Sequence, residues 1–183
     1  MSYQGLQMKN FREVAVGKKS LKKDYVAIMM WFMGRAIQAA AAVDRAVKKE
    51  FADMPDGFTF ALSVMPKGPH MIVGKDQRGF VRYRGWDPEG KKIDLKMKIK
   101  NIEAATLIFT FQESTALATA RDRLIVDGEV AYACAIVRIL DIVEVYLLPK
   151  IIAKLAVKRY PGWSFRRKYL GRVLVYVRTI FGF

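Results

Sequence analysis

The 183-residue chain has little of what catalytic chemistry is usually built from. It holds one cysteine, Cys134, and one histidine, His70. A single cysteine excludes a disulfide framework within the chain and points to a reducing compartment. Cys134 falls inside an apolar helical pattern and reads as a small buried hydrophobe. His70 follows Pro69 at a turn, and no His/Cys/carboxylate grouping has metal-ligand spacing. No nucleophile–base pair can be built beyond the bare presence of His70. There is no P-loop and no GxGxxG to cradle a phosphate. Asp87 and Glu89, in a stretch closed by Gly90, read as a turn rather than as an acid–base pair. These absences predict a non-enzymatic protein without cofactor or metal. Residues 1–17 lack the apolar h-region of a signal peptide.

One further absence is local. Residues 145–183 contain nine Lys/Arg and no acid, and residues 1–23 contain six Lys/Arg against Glu13. The rest of the chain is nearly neutral, so the net charge of +15 resides on the two flanks. Segregated positive charge speaks to a polyanionic partner, nucleic acid or anionic membrane, and not to the fold. In the C-terminal tail the basic residues are interleaved with Val, Leu, Tyr, Trp and Phe, the composition of an interfacial helix. Each basic residue near an anionic surface adds on the order of 1 kcal/mol. Nucleic acid is disfavoured, because the tail lacks an Asn/Gln-bearing recognition surface, although a phosphate-only binder would need little beyond charge. Packing of the tail on its own domain or on a second subunit stays open, as does a homo-oligomer.

What the chain has in abundance is apolar residues, 52% of the total. They concentrate in residues 123–149, where a short β-branched run, Leu124-Ile125-Val126, ends at Asp127-Gly128 and a helical pattern follows over 129–148. Its interior charges, Arg138, Asp141 and Glu144, recur every three residues and form one narrow stripe, expected at the exposed edge. An ordinary surface helix is apolar on one face. This one needs cover on most of its circumference, from a sheet and from something else.

Elsewhere, one helical pattern runs over about 21–51. Its portion 25–43 is nearly long enough to span a bilayer, but Arg35 and Gln38 argue for a buried or interfacial helix. Trp31, Phe32, Met29, Met30, Met33 and Met54 read as core or as a soft wall around an apolar ligand. Strands follow over 58–65, 71–73, 79–86 and 93–99, the last with strict alternation, Ile93, Leu95, Met97 and Ile99 against Asp94, Lys96, Lys98 and Lys100. Tight turns between them predict an antiparallel meander. Asn101 caps a helix that the pattern continues towards 112, although propensity over 106–112 favours a strand; Ser114 begins a short helix, and a further helix is expected over 150–160. In 163–183, Leu170, Val173, Leu174, Val177 and Phe181 make one apolar helical stripe, with a strand over 173–177 as the alternative.

This order of elements resembles the sterol carrier protein-2 (non-specific lipid-transfer) family. The residues that carry the resemblance are Phe58-Thr59-Phe60-Ala61-Leu62, Ile93-Asp94-Leu95-Lys96-Met97, and above all Ala120-Arg121-Asp122-Arg123-Leu124-Ile125-Val126-Asp127-Gly128-Glu129. It covers about residues 35–148. It implies an α+β fold with a five-stranded, mainly antiparallel sheet covered on one side by helices. An apolar tunnel between them would hold a fatty acyl chain, acyl-CoA, sterol or phospholipid. The expected lining is Phe60, Leu62, Leu95, Met97, Leu124 and Val126 from the strands and Ile136, Leu140, Val143 and Leu147 from the helix. Around this domain, 24–148, lie a basic N-terminal segment, 1–23, and a basic helical extension, 149–183. In the extension Arg166, Arg167, Lys168, Leu170, Arg172, Leu174 and Phe181 are the expected membrane contacts. The expectation is a cytoplasmic, peripherally membrane-associated lipid-binding protein. The alternative is an accessory subunit whose apolar helices cover a partner, and a non-specific nucleic-acid binder comes third.

Overall fold

The computed structural model describes residues 20–148 and 165–182. The basic segment 1–19 and the helix expected over 150–160 lie outside them. Six helices and five strands are present among the described residues: α1 (Ser20–Val43), α2 (Arg45–Ala52), β1 (Thr59–Val64), β2 (His70–Lys75), β3 (Val81–Gly85), β4 (Leu95–Ile99), α3 (Ile102–Phe109), α4 (Thr115–Ala120), β5 (Leu124–Asp127), α5 (Val130–Leu147) and α6 (Phe165–Phe181).

The helical pattern expected as one piece over 21–51 is two helices. Asp44 leaves helical geometry (φ −94°, ψ 125°), and its carboxylate accepts the N–H groups of Ala46 and Val47. An aspartate that satisfies the free N–H groups of the next helix is a strong N-cap, so the chain restarts there. Asn101 and Ser114 cap α3 and α4 in the same way, accepting from Ala104 N and Leu117 N.

The sheet is mixed, in the order β3-β2-β1-β4-β5. Three of the four pairings are antiparallel, while β1 and β4 run parallel, Phe60 opposite Leu95 and Leu62 opposite Met97. The expected four-strand meander is therefore corrected: β4 does not follow β3 in space but crosses to the far side of β1. The crossing is pinned at its start, where Asp94 N donates to Thr59 O (2.8 Å) and the Asp94 carboxylate accepts Thr59 N (2.9 Å). Alternation along a strand reports which face is buried and is silent about which neighbour the strand chooses.

Phe60, Leu62, Met71, Val73, Leu95, Met97 and Ile99 point to one face and join the helices in a single core. The other face carries Arg82, Arg84, Lys96 and Lys98 around small residues such as Thr59 and Gly74. On the core side, α1 packs on β2 and β3 and against α3, α5 and α6. Gly34 makes the first of these contacts possible, because a Cβ there would sit 2.5 Å from the Tyr83 ring. Gly171 does the same for α6, whose backbone passes the Tyr146 ring of α5 with only 3.1 Å to spare for a Cβ.

The Arg-Asp-Arg run that carried the resemblance has a structural role. Glu113 is buried, and Arg121 (3.2 Å) and Arg123 (2.6 Å) both donate to it, so the charge that burial would penalise is doubly paired.

Candidate functional site

The ten residues expected to line a ligand site come together. Nine of them, Phe60, Leu62, Leu95, Met97, Leu124, Ile136, Leu140, Val143 and Leu147, belong to one buried cluster between the sheet and the helices, and Val126 packs against it. Methionines 30, 33 and 54 join the same cluster, with Met29 and Phe32 packed on its edge. Trp31 is the exception, 41% exposed on the outer side of α1. Thioether side chains adapt to irregular shapes, and five methionines, Met30, Met33, Met54, Met71 and Met97, contribute to this interior.

The charged stripe of α5 departs from expectation at one end. Arg138 is exposed and holds Glu50 of α2 in a two-pronged ion pair, 2.9 and 2.7 Å. Asp141 is half-buried. Glu144, expected at the exposed edge, is only 5% exposed. Burial, with the nearby Asp141 charge adding to it, pushes the Glu144 carboxyl up to about 8. A helical stripe three residues apart drifts around the axis, and here it drifts from solvent at Arg138 into the protein at Glu144. Cys134, expected in the core, is exposed, since α5 buries the neighbouring Ala133 and Ala135 instead.

The C-terminal helix holds the least ordinary surface. It docks on α1 and α5 through Gly171, Val175 and Thr179, spaced four residues apart, and Val175 and Thr179 are fully buried. The opposite face carries Tyr169, Leu170, Val173, Leu174, Val177, Ile180 and Phe181, all exposed, with Val173 at 60%, Ile180 at 63% and Phe181 at 70%. The apolar stripe legible in the sequence is therefore the outward face, and small residues make the contact with the protein. The two arginines within this stretch are half-buried at its margins. Arg172 donates to the carbonyls of Val145 (2.9 Å) and Leu148 (2.8 Å), capping the end of α5. The side chains of Arg166, Arg167 and Lys168 lie outside the described residues.

Arg35 sits where α6 ends. Its Nε donates to Thr179 O (2.9 Å) and its Nη2 to Ile180 O (3.4 Å), while Gln38 donates to Gly182 O (3.3 Å). The Arg35 guanidinium also lies 5.5 Å above the Trp31 ring. The exposed face of α6 is thereby brought up to the exposed face of α1, where Trp31, Ile28, Tyr25 and Leu21 continue it. Sequence reasoning named the α6 residues but missed the α1 half. Its signal was the i, i+4, i+7, i+10 spacing of Leu21, Tyr25, Ile28 and Trp31.

A separate cavity of about 1050 Å³ opens between the C-terminal half of α1, α2, the β2–β3 turn and the end of α6. None of the ten expected ligand-lining residues borders it.

No family model matches the chain, and no curated protein matches it. Among solved structures, it is similar to a ubiquinone synthesis protein described as UbiJ-SCP2, at 13% identity over 68% of this chain and 96% of that one, with a TM-score of 0.41. A conserved hypothetical protein of Thermus thermophilus, described as possibly a sterol carrier protein, is 17% identical over 72% and 90%, with a TM-score of 0.42. Sterol carrier protein 2 like 2 of Aedes aegypti is 11% identical over 55% and 94%, with a TM-score of 0.31. All three are described in sterol-carrier terms, the second only as a possibility.

Proposed function

We propose that this protein is a non-catalytic lipid binder that docks on anionic membranes through the outer faces of α6 and α1. The observation that carries this reading is the wholly apolar, exposed face of α6 from Tyr169 to Phe181, continued by Trp31 and Ile28 on α1. A soluble helix turns such a face inward; one left outside needs an apolar phase or a partner. The charge around it favours a bilayer, because the segments that flank the domain carry nearly all of the +15. Apolar residues sunk into the acyl boundary, with Lys and Arg at the headgroups, describe an in-plane helix. By length and mean hydropathy α1 could also cross a membrane, but its second half is core: Ala36, Ile37, Ala39 and Ala40 are buried.

We place the bound lipid, an acyl chain, acyl-CoA, sterol or phospholipid, between the sheet and α5. The convergence of the ten residues and the adaptable, methionine-rich interior support that placement.

Vesicle flotation tests the reading. The protein should rise with phosphatidylserine-containing vesicles and stay behind with purely phosphatidylcholine ones. Equal flotation with both, or none with either, sinks the docking. Native mass spectrometry of gently purified protein should show a bound lipid mass. If stable self-association accompanies absent flotation, the apolar face is instead an interface between protein chains.

A further inference from the structure

We infer that α3 is the gate of the lipid site, latched shut by Tyr25 of the docking face and released when that face meets a membrane. The inference rests on the docking and lipid binding proposed above. α3 packs on β4 and α1. Its inner face, Ala104, Ala105, Ile108 and Phe109, is buried in the same cluster as Leu95 and Met97 of β4. α3 therefore roofs part of the interior that would hold the lipid.

The two ends of α3 are held differently. At its start Asn101 Oδ1 accepts Ala104 N at 2.7 Å, and Glu103 is engaged as well. At its end the last four carbonyls lack partners inside the helix. Those of Thr106, Leu107 and Ile108 are taken by the N–H groups of Thr110, Gln112 and Phe111, all within the same segment. That of Phe109 accepts the Tyr25 hydroxyl of α1 at 3.0 Å. Tyr25 is 39% exposed, on the face that Ile28 and Trp31 continue. One side chain thus belongs both to the docking face and to the end of α3. Just beyond, Phe111 sits in the left-handed region (φ 59°), which is strained for a bulky residue. Glu113 is then fixed by Arg121 and Arg123. Residues 110–112 are placed as a hinge between a fixed α4 and an α3 that can swing about its capped start.

Little polarity opposes that swing towards an apolar phase. Thr106 and Thr110 turn their hydroxyls back to the carbonyls of Ile102 and Thr106, both at 2.7 Å. In water, opening would expose Ala104, Ala105, Ile108 and Phe109, so the shut state is favoured. At a bilayer the acyl boundary receives such side chains, and headgroups compete for the Tyr25 hydroxyl. Docking therefore weakens the latch and stabilises the open state at once.

Two assays on the full-length chain test the gate. The first follows maleimide labelling of A105C in a C134A background, because Ala105 is fully buried and Cys134 is exposed. I108C replaces A105C if the latter does not fold. Adding Y25F should speed labelling at least about fivefold, the equivalent of one lost hydrogen bond, whereas Y169F, which removes another tyrosine hydroxyl of the docking face, should change it less than about twofold. The second assay follows release of parinaric acid, a fluorescent fatty acid, into vesicles. The wild type should release it at least about fivefold faster into phosphatidylserine-containing vesicles than into purely phosphatidylcholine ones, and Y25F should narrow that difference by speeding release into the latter. Labelling that Y25F leaves unchanged, or that Y169F speeds equally, overturns the gate. So does wild-type release at one rate into both kinds of vesicle. A chain that takes up no parinaric acid, or floats with no vesicle, overturns the proposed function and the gate with it, whereas the preceding results overturn the gate alone.

Discussion

The Nε of Arg35 donates to the carbonyl oxygen of Thr179 at 2.9 Å, joining the middle of the long N-terminal helix to the last turn of the C-terminal one. An arginine in an apolar helix reads as an obstacle to burial, and here it is the cap of a neighbour. The same guanidinium reaches Ile180 O and lies over Trp31, so one side chain positions the end of α6 beside the exposed face of α1.

Truncating that cap should free α6. R35A is expected to cost about 1–3 kcal/mol, the range for charged hydrogen bonds left unmade. Amide exchange should accelerate in residues 175–181 before it does in the sheet. R35K should recover little, because a single ammonium cannot reproduce the two-carbonyl fork. Unchanged exchange in α6 would show that Gln38 and the apolar contacts suffice.

The two faces of α6 should respond oppositely to the same chemistry. V173D/V177D places charge on the exposed face, where stability should change by less than about 1 kcal/mol, yet anionic-vesicle binding should fall at least about tenfold, since each aspartate removes apolar burial and adds repulsion. V175D places charge on the fully buried face and should destabilise by about 3 kcal/mol or more. Thermal unfolding and flotation, run on both variants, separate docking from folding.

Glu144 makes stability fall with rising pH. Its carboxyl is held at about 8 in the folded protein, against an ordinary 4.5. Below the ordinary value the group is protonated in both states and costs nothing. Between that value and about 8 the folded state keeps a proton that the unfolded state has released, so folding weakens as pH rises through this window and levels off above it. The total is on the order of a few kcal/mol. E144Q should flatten this dependence, and at about pH 9 it should be more stable than the wild type. Urea midpoints across the range measure it; parallel curves for both proteins would refute the assignment.

Tyr146 Oη donates to Asp44 Oδ2 at 2.5 Å, with both residues buried. Asp44 also caps α2. Y146F should cost about 1 kcal/mol. D44A should cost about 2–4 kcal/mol, because it uncaps α2 and removes the acceptor of the Tyr146 hydroxyl. A double-mutant cycle should return a coupling of roughly 0.5–3 kcal/mol, and additivity of the two losses would show that the hydroxyl finds another partner.

The strands were legible because period-two alternation follows directly from strand geometry, as at Leu95, Met97 and Ile99. The cap at Asn101 was legible because it acts on an N–H group three residues away. Asp44 was equally local, but the strong helix formers on both sides of it hid the break. Exposure was harder. Cys134 and Glu144 lie on the same helix, and which of them faces solvent depends on where α2, α6 and the sheet pack around it. The cavity beside α1 and α2 left no trace in any single window, since Lys48, Arg78 and Arg178 come from segments far apart in the chain.

The sequence by itself determined the element order, the apolar excess of α5 and the segregation of charge to the two ends, because each is a property of neighbouring residues. Only the tertiary structure decided that β4 pairs with β1, that the apolar stripe of α6 faces outward while Gly171 and Val175 face in, and that Arg35 closes the end of α6. Those outcomes depend on which surfaces meet. A helix with an apolar stripe on one side and small residues on the other can bury either, and close approach to Tyr146 was open only to the side that carries Gly171.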